Sequence, residues 1–214
     1  MTRRFTDLDA ERVQANLARV RERMAATGRD PEEVEVCAAT KYVDAAELPV
    51  LAEAGISLVG ENRAQDLLAK HSSHGDLFDW DFIGALQSRK VKDIVPVVRL
   101  IHSVSSESAL SRLASHPARE VLVQVNVARE DGKAGVAPEA LAGFIAASPV
   151  PVTGLMTMPP FTDDPEASRP HFARLAELAA EHGLKRLSMG TTQDYVVAVD
   201  EGATIVRIGS ALYT

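Results

Sequence analysis

A single cysteine, Cys37, stands among 214 residues. An internal disulfide is therefore excluded, and a reducing cytoplasm suits the chain. Cys37 falls inside a strand-like run, so packing is its expected role. There is no basic excess. The net charge of −7 removes the electrostatic footprint expected of a nucleic-acid binder. No apolar run is long enough to span a bilayer. The start of the chain, Met1 to Asp7, lacks the apolar core of a signal peptide. Low-complexity segments and short-period repeats are missing too. What remains is an ordinary globular composition, 46% hydrophobic and 25% charged, expected in the cytoplasm and away from membranes.

The first helix is predicted over residues 8–26. Leu8, Val13, Leu17, Val20 and Met24 recur at helical spacing, with arginines and glutamates on the other face. A rhythm follows. Apolar, strand-like runs occur near 34–41, 57–62, 80–86, 100–105, 121–127, 152–158, 186–190 and 204–210. Helical patterns fall at 47–54, 64–70, 106–114, 138–147, 170–181 and 192–201. Strands alternating with helices imply parallel pairing through right-handed crossovers. Eight such runs predict one closed (β/α)8 TIM barrel spanning residues 1–214, with an extra N-terminal helix. A doubly wound open sheet would carry a Gly-rich fingerprint after its first strand, and none follows Lys41.

The run 34–41, Val-Glu-Val-Cys-Ala-Ala-Thr-Lys, organises the candidate site. Alternation puts Glu35, Cys37, Ala39 and Lys41 on one face. A lysine at the carboxyl end of a buried strand, beside small residues, has two readings. It marks where the strand meets water, or it is an amine set to attack a carbonyl. Catalytic and ligand groups of such barrels sit at the carboxyl ends of the strands, and phosphate commonly binds after strands seven and eight. Those ends read Ser188-Met189-Gly190-Thr191-Thr192 and Arg207-Ile208-Gly209-Ser210. Glycines, hydroxyls and free amides there suit an anion, although Ser or Thr before a helix also serves as a plain N-cap. Arg207 is a charge inside an apolar strand. It calls for a partner, either a carboxylate such as Glu35 or Glu61 or a ligand. A class I aldolase using Lys41 near a substrate phosphate fits these residues as well.

The chain also resembles a known family. Ala38-Ala39-Thr40-Lys41, Gly60-Glu61-Asn62 with Gln65, and Phe82-Ile83-Gly84-Ala85-Leu86-Gln87-Ser88 with Lys90 occur in order. Gln124-Val125-Asn126 with Lys133 and Gly135, and Gly154-Leu155-Met156, continue the series. Leu187-Ser188-Met189-Gly190 with Asp194, and Arg207-Ile208-Gly209, close it. This ordered set resembles the pyridoxal phosphate homeostasis proteins, whose barrel is that of the alanine racemase N-terminal domain. The resemblance implies that Lys41 holds pyridoxal 5′-phosphate as a Schiff base. Thr192, Gly209 and Ser210 would hold its phosphate, helped by Ser188 and Gly190. Arg207 would approach the pyridine nitrogen, and Asn62 and Met189 would line the ring.

Three positions depart from the family pattern. Asp81 stands where the family has His, Thr191-Thr192 replaces Met-Ser, and Gly209-Ser210 replaces Gly-Thr. The last two changes keep a hydroxyl at the phosphate. The function implied is a cytoplasmic, monomeric carrier that buffers or delivers the cofactor, transiently meeting pyridoxal-phosphate-dependent apoenzymes, and not an enzyme. The alternative is an amino-acid racemase or related enzyme. Racemases of this fold take a tyrosine base from a second domain. This chain is expected to lack that domain, and Tyr42, Tyr195 and Tyr213 are expected to sit away from such a position.

Overall fold

Parallel pairing runs unbroken around the molecule. In a computed structural model, which describes residues 4–214, eight strands follow one another in chain order and the last hydrogen-bonds to the first. They are β1 (Glu35–Ala39), β2 (Leu58–Glu61), β3 (Asp79–Phe82), β4 (Leu100–Val104), β5 (Val121–Gln124), β6 (Val152–Met156), β7 (Arg186–Thr191) and β8 (Ile205–Ile208). The helices are α1 (Ala10–Ala25), α2 (Leu48–Glu53), α3 (Ala64–His74), α4 (Val91–Ile94), α5 (Glu107–Ser115), α6 (Leu141–Ala146), α7 (Arg169–Glu181), α8 (Tyr195–Asp200) and α9 (Ser210–Tyr213). The predicted (β/α)8 barrel is the observed fold. Among the described residues no helix is long and apolar enough to cross a membrane.

Two apolar layers follow from the strand period. Inside the barrel Cys37, Leu58, Leu100, Leu122, Met156 and Ile205 form a small core. The alternate residues, such as Ala38, Val59, Ile101 and Val206, face the helices and join the large outer core. The helix before β1 starts at an Asp9 N-cap, which accepts from Arg12 N at 2.8 Å. It buries Val13, Leu17, Val20 and Met24, as its spacing predicts. It also buries Asn16, whose amide donates to the carbonyls of Leu212 and Thr214, both at 3.0 Å. The helix after β8 is only four residues long. The amino-terminal helix packs against it and against α2 and α8.

Most predicted strands run past the observed ones at their carboxyl ends, because those residues turn into the mouth of the barrel. The run 80–86 is the clearest case, since β3 ends at Phe82. The chain then passes so close to β2 that a Cβ on Gly84 would lie 1.8 Å from the Asn62 carbonyl oxygen. A helix between β3 and β4 was not expected. The short helix there, preceded by one 3-10 turn at Ser88–Lys90, is too brief to leave a periodic pattern.

Gly84→Ala is expected to destabilise the fold by more than about 3 kcal/mol or to prevent folding, because backbone must move. Gly143→Ala, in α6 with nothing within 4 Å of the added methyl, should stabilise by about 0.5–1 kcal/mol. Urea unfolding of the two variants measures both. A Gly84→Ala midpoint equal to wild type contradicts the close approach.

Candidate functional site

The strands all point their carboxyl ends at one mouth, and a cavity of about 670 Å³ opens there. Lys41 lies on its wall, two residues past the end of β1, in a turn and exposed to solvent. Its Nζ sits 4.9 Å from the centroid of the Tyr42 ring, within cation–π range. The predicted strand ran to Lys41; the observed one stops short of it, so the amine meets water and also stands at the cavity.

What holds Lys41 is its backbone. Thr40, the preceding residue, faces outward and is fully buried. Its carbonyl accepts from Lys70 Nζ of α3 at 2.7 Å, and its hydroxyl donates to Glu61 Oε1 at 2.8 Å. Lys70 and Glu61 pair at 2.5 Å, almost wholly buried. A buried pair with its remaining bonds satisfied holds one geometry, and losing one partner leaves an uncompensated charge. The Gly-Glu-Asn motif thus serves the lysine from behind the sheet.

Arg207 enters from β8, paired in register with Cys37 of β1. It is 5% exposed and lines the cavity. Neither Glu35 nor Glu61 partners it. Glu35 lies at the amino end of β1, where Arg99 and Arg186 take it. Glu61 points outward to Lys70. Arg207 instead donates from Nη1 to Ser188 Oγ at 2.5 Å, and from Nη2 to the Thr157 carbonyl and Met158 Sδ, both at 2.9 Å. Burial lowers its pKa to about 10, which still leaves it cationic at neutral pH. A buried guanidinium with only neutral acceptors is an electrostatic debt that a ligand can settle.

Asn62, Thr192, Gly209 and Ser210 join Lys41 and Arg207 on the wall. Thr192 Oγ1 accepts from Gly209 N at 3.2 Å and Ala211 N at 3.5 Å, tying the loops after β7 and β8 together. Asn62 Oδ1 is buried without a hydrogen-bond partner.

Three expected residues are not brought there. Met189 is fully buried in the outer core, because its neighbour Ser188 takes the inward position on β7. Ser188 is itself fully buried below the mouth, bonded to Arg207 and His102. Gly190 is used for a turn. Its φ is 89°, and a Cβ would lie 2.6 Å from Ala198 Cβ in α8. Conversely, Phe5, Tyr42, Gln124, Met156 and Met158 line the cavity unannounced. Phe5 arrives through a hydrogen bond from its N to the Tyr42 carbonyl and stacks at 5.1 Å on Tyr213. Of the three tyrosines, Tyr42 lines the cavity next to Lys41. Tyr213 is buried, donating to the Ala39 carbonyl, and Tyr195 is packed in the outer core.

Beneath the mouth lies a polar interior. Asp81, His102 and Ser188 are all essentially inaccessible. Burial opposes the charge of Asp81, but bonds and charge from His102 and Arg99 hold its carboxyl below the ordinary range. Burial dominates at His102 and lowers its pKa against the pull of Asp81, with Arg207 and Arg99 acting in the same direction as burial. Burial likewise pushes the Cys37 thiol well up, as suits a packing residue.

These features define a class: a (β/α)8 barrel that presents a free amine and a buried guanidinium to one ligand-sized cavity. The family model described as alanine racemase, N-terminal domain, matches residues 8–214. The pyridoxal phosphate homeostasis protein of Pseudomonas aeruginosa is 39% identical over 216 residues, 95% of this chain and 94% of that one. Its counterpart from Aquifex aeolicus is 36% identical over 219 residues, 95% and 96% of the two chains. The structure of PipY from Synechococcus elongatus PCC7942 with PLP bound superposes with a TM-score of 0.79 at 30% identity, covering 94% of this chain and 100% of that one. The chain belongs to the pyridoxal phosphate homeostasis proteins, within the alanine racemase N-terminal domain family.

The titration of His102 yields a stability test. The folded protein keeps this imidazole neutral, while an unfolded histidine binds a proton below about pH 6.5. A depressed pKa means stability that is full above the unfolded value and lost as pH falls through it. Stability is expected to fall from about pH 6.5 downward by at most about 1.4 kcal/mol per pH unit for this proton. Asp81, also depressed, adds a second loss below about pH 4. Thermal melts between those values, on wild type and His102→Gln, measure it. An unchanged slope in the variant assigns the loss to other groups.

Proposed function

We propose that this protein binds pyridoxal 5′-phosphate in the mouth cavity, holds it through a Schiff base at Lys41, and buffers or delivers it without turning over amino acids. The carrying observation is the pairing of a solvent-reachable amine with a buried, carboxylate-free guanidinium across one cavity. The bound PLP named for PipY and the names of the relatives support the same reading. When bound, the cofactor supplies an aldehyde and an electron-accepting ring.

The residues present fit that group. Lys41 offers an amine, and Thr192, Ser210 and the Gly209 loop offer hydroxyls and amides suited to a phosphate. Arg207 donates hydrogen bonds and accepts none. Facing the ring nitrogen, it favours the unprotonated nitrogen and weakens the ring as an electron sink. Asn62 lies on the same cavity wall. Exposure of Lys41 to water suits exchange of the cofactor with solvent or transiently with the lysine of an apoenzyme, and works against proton transfers that need a dry site. We further read the carrier as a monomer.

Lys41→Ala is expected to abolish both the visible absorption of the loaded protein and the adduct trapped by borohydride. Peptide mapping of the wild-type adduct should find it on Lys41. An adduct on Lys70, buried behind β2, or on exposed Lys133 overturns the assignment.

The non-catalytic reading is tested in deuterated water. The loaded protein, incubated with L- and D-alanine and serine, should exchange the α-proton no faster than free cofactor does, and Tyr42→Phe should not alter that rate. Rapid exchange of one amino acid, lost in Tyr42→Phe, makes Tyr42 an acid–base group and the protein an enzyme.

A further inference from the structure

Five side chains form a continuous line through the barrel interior. Arg99, just before β4, donates to both oxygens of Asp81, from Nε to Oδ1 at 3.0 Å and from Nη2 to Oδ2 at 2.8 Å. His102 Nε2 lies 3.0 Å from Asp81 Oδ2, and His102 Nδ1 lies 2.8 Å from Ser188 Oγ. Arg207 Nη1 lies 2.5 Å from the same Ser188 Oγ. The line begins at the charged amino end of the strands and finishes at the cavity wall.

The donor and acceptor inventory fixes its direction. Asp81, paired with Arg99, only accepts, so His102 Nε2 carries the proton. A buried neutral imidazole then has Nδ1 as an acceptor, and Ser188 donates its hydroxyl proton there. That leaves a Ser188 lone pair facing Arg207, which only donates. In the opposite tautomer both Nδ1 and Arg207 would donate to Ser188. Its own hydroxyl proton would then need another acceptor, and among the described residues Ser188 Oγ has no other partner. Leaving a buried donor unmet is unfavourable.

We propose that Asp81 is a positioning residue: by fixing the tautomer of His102 it turns Ser188 to accept from Arg207 and so holds the guanidinium against the cofactor cavity. This rests on the reading of that cavity as the pyridoxal phosphate site. Arg207 has no carboxylate to hold it, only Ser188 on one side and the Thr157 carbonyl and Met158 Sδ on the other. Loss of the Ser188 lone pair frees one arm of the fork. Asp81→Ala removes the acceptor that faces His102 Nε2, and nothing then fixes the tautomer.

The test begins on protein freed of cofactor and labelled with 15N-histidine. At pH 7 the His102 signals should be those of the neutral Nε2–H tautomer, and Asp81→Ala should lose that preference and populate Nδ1–H. An imidazolium or Nδ1–H form in wild type, or an unmoved tautomer in Asp81→Ala, overturns the proposal. Pyridoxal phosphate titrations then read the far end of the line. Asp81→Ala and Ser188→Ala should each weaken binding by about tenfold and shift the visible band, while Ser188→Thr, which keeps the hydroxyl, should recover most of the loss. Ser188→Thr no better than Ser188→Ala also overturns it, and the serine pair decides the matter if Asp81→Ala does not fold. A wild-type protein that takes up no pyridoxal phosphate sinks the cofactor reading instead, and the tautomer in the cofactor-free protein still decides whether Asp81 orders the line.

Discussion

The hydrogen bonding of β8 to β1 is the constraint on which the site depends. It closes the barrel, and its register sets Arg207 beside Cys37. With period-2 alternation, Arg207 and Cys37 then face inward, and Lys41 follows two residues past the end of β1. The lysine stands at the rim and the arginine on the wall below it. An open sheet with the same strands would leave these two groups on opposite edges. Closure also removes exposed strand edges and gives the chain a packed interior into which polar groups can be placed only in satisfied arrangements.

Two buried polar systems meet that demand, on opposite sides of the sheet. Outside it, Lys70 and Glu61 secure Thr40 and so the backbone that carries Lys41. Inside it, the line from Arg99 to Arg207 runs from the amino end of the strands toward the mouth. The amino end is itself an ion-pair cluster, with Glu35 shared by Arg99 and Arg186, and Arg186 held by Glu120 at 2.7 Å. In a (β/α)8 barrel that end serves stability and the other end chemistry. Asp81 belongs to the first by its pairing with Arg99 and to the second through His102.

The choice of an arginine on β8 shapes what the cavity can do. Its burial alone lowers its pKa, yet it stays charged and remains a pure donor. A carboxylate in that place would draw a proton onto a ring nitrogen, and a guanidinium does not. On the proposed reading, the cavity then suits holding the cofactor better than carbanion chemistry.

Much of this was legible locally. Alternating apolar runs and helical patterns prescribed a closed (β/α)8 barrel, since each depends only on neighbours a few residues apart. The motifs around Lys41, Asn62, Thr192 and Arg207 marked residues that do converge on the cavity. The resemblance named both Ser188 and Met189, which are adjacent on β7, and the barrel turns Ser188 inward and Met189 into the outer core. The rest lay beyond sequence. Which of Glu35, Glu61 and Asp81 meets which cation depends on the stagger between strands far apart in the chain. So does the meeting of Asp81 on β3, His102 on β4, Ser188 on β7 and Arg207 on β8. Phe5 and Met158 reach the cavity by loop paths that leave no periodic signature. Composition and spacing determine which faces are buried, but only closure of the barrel decides which buried groups touch.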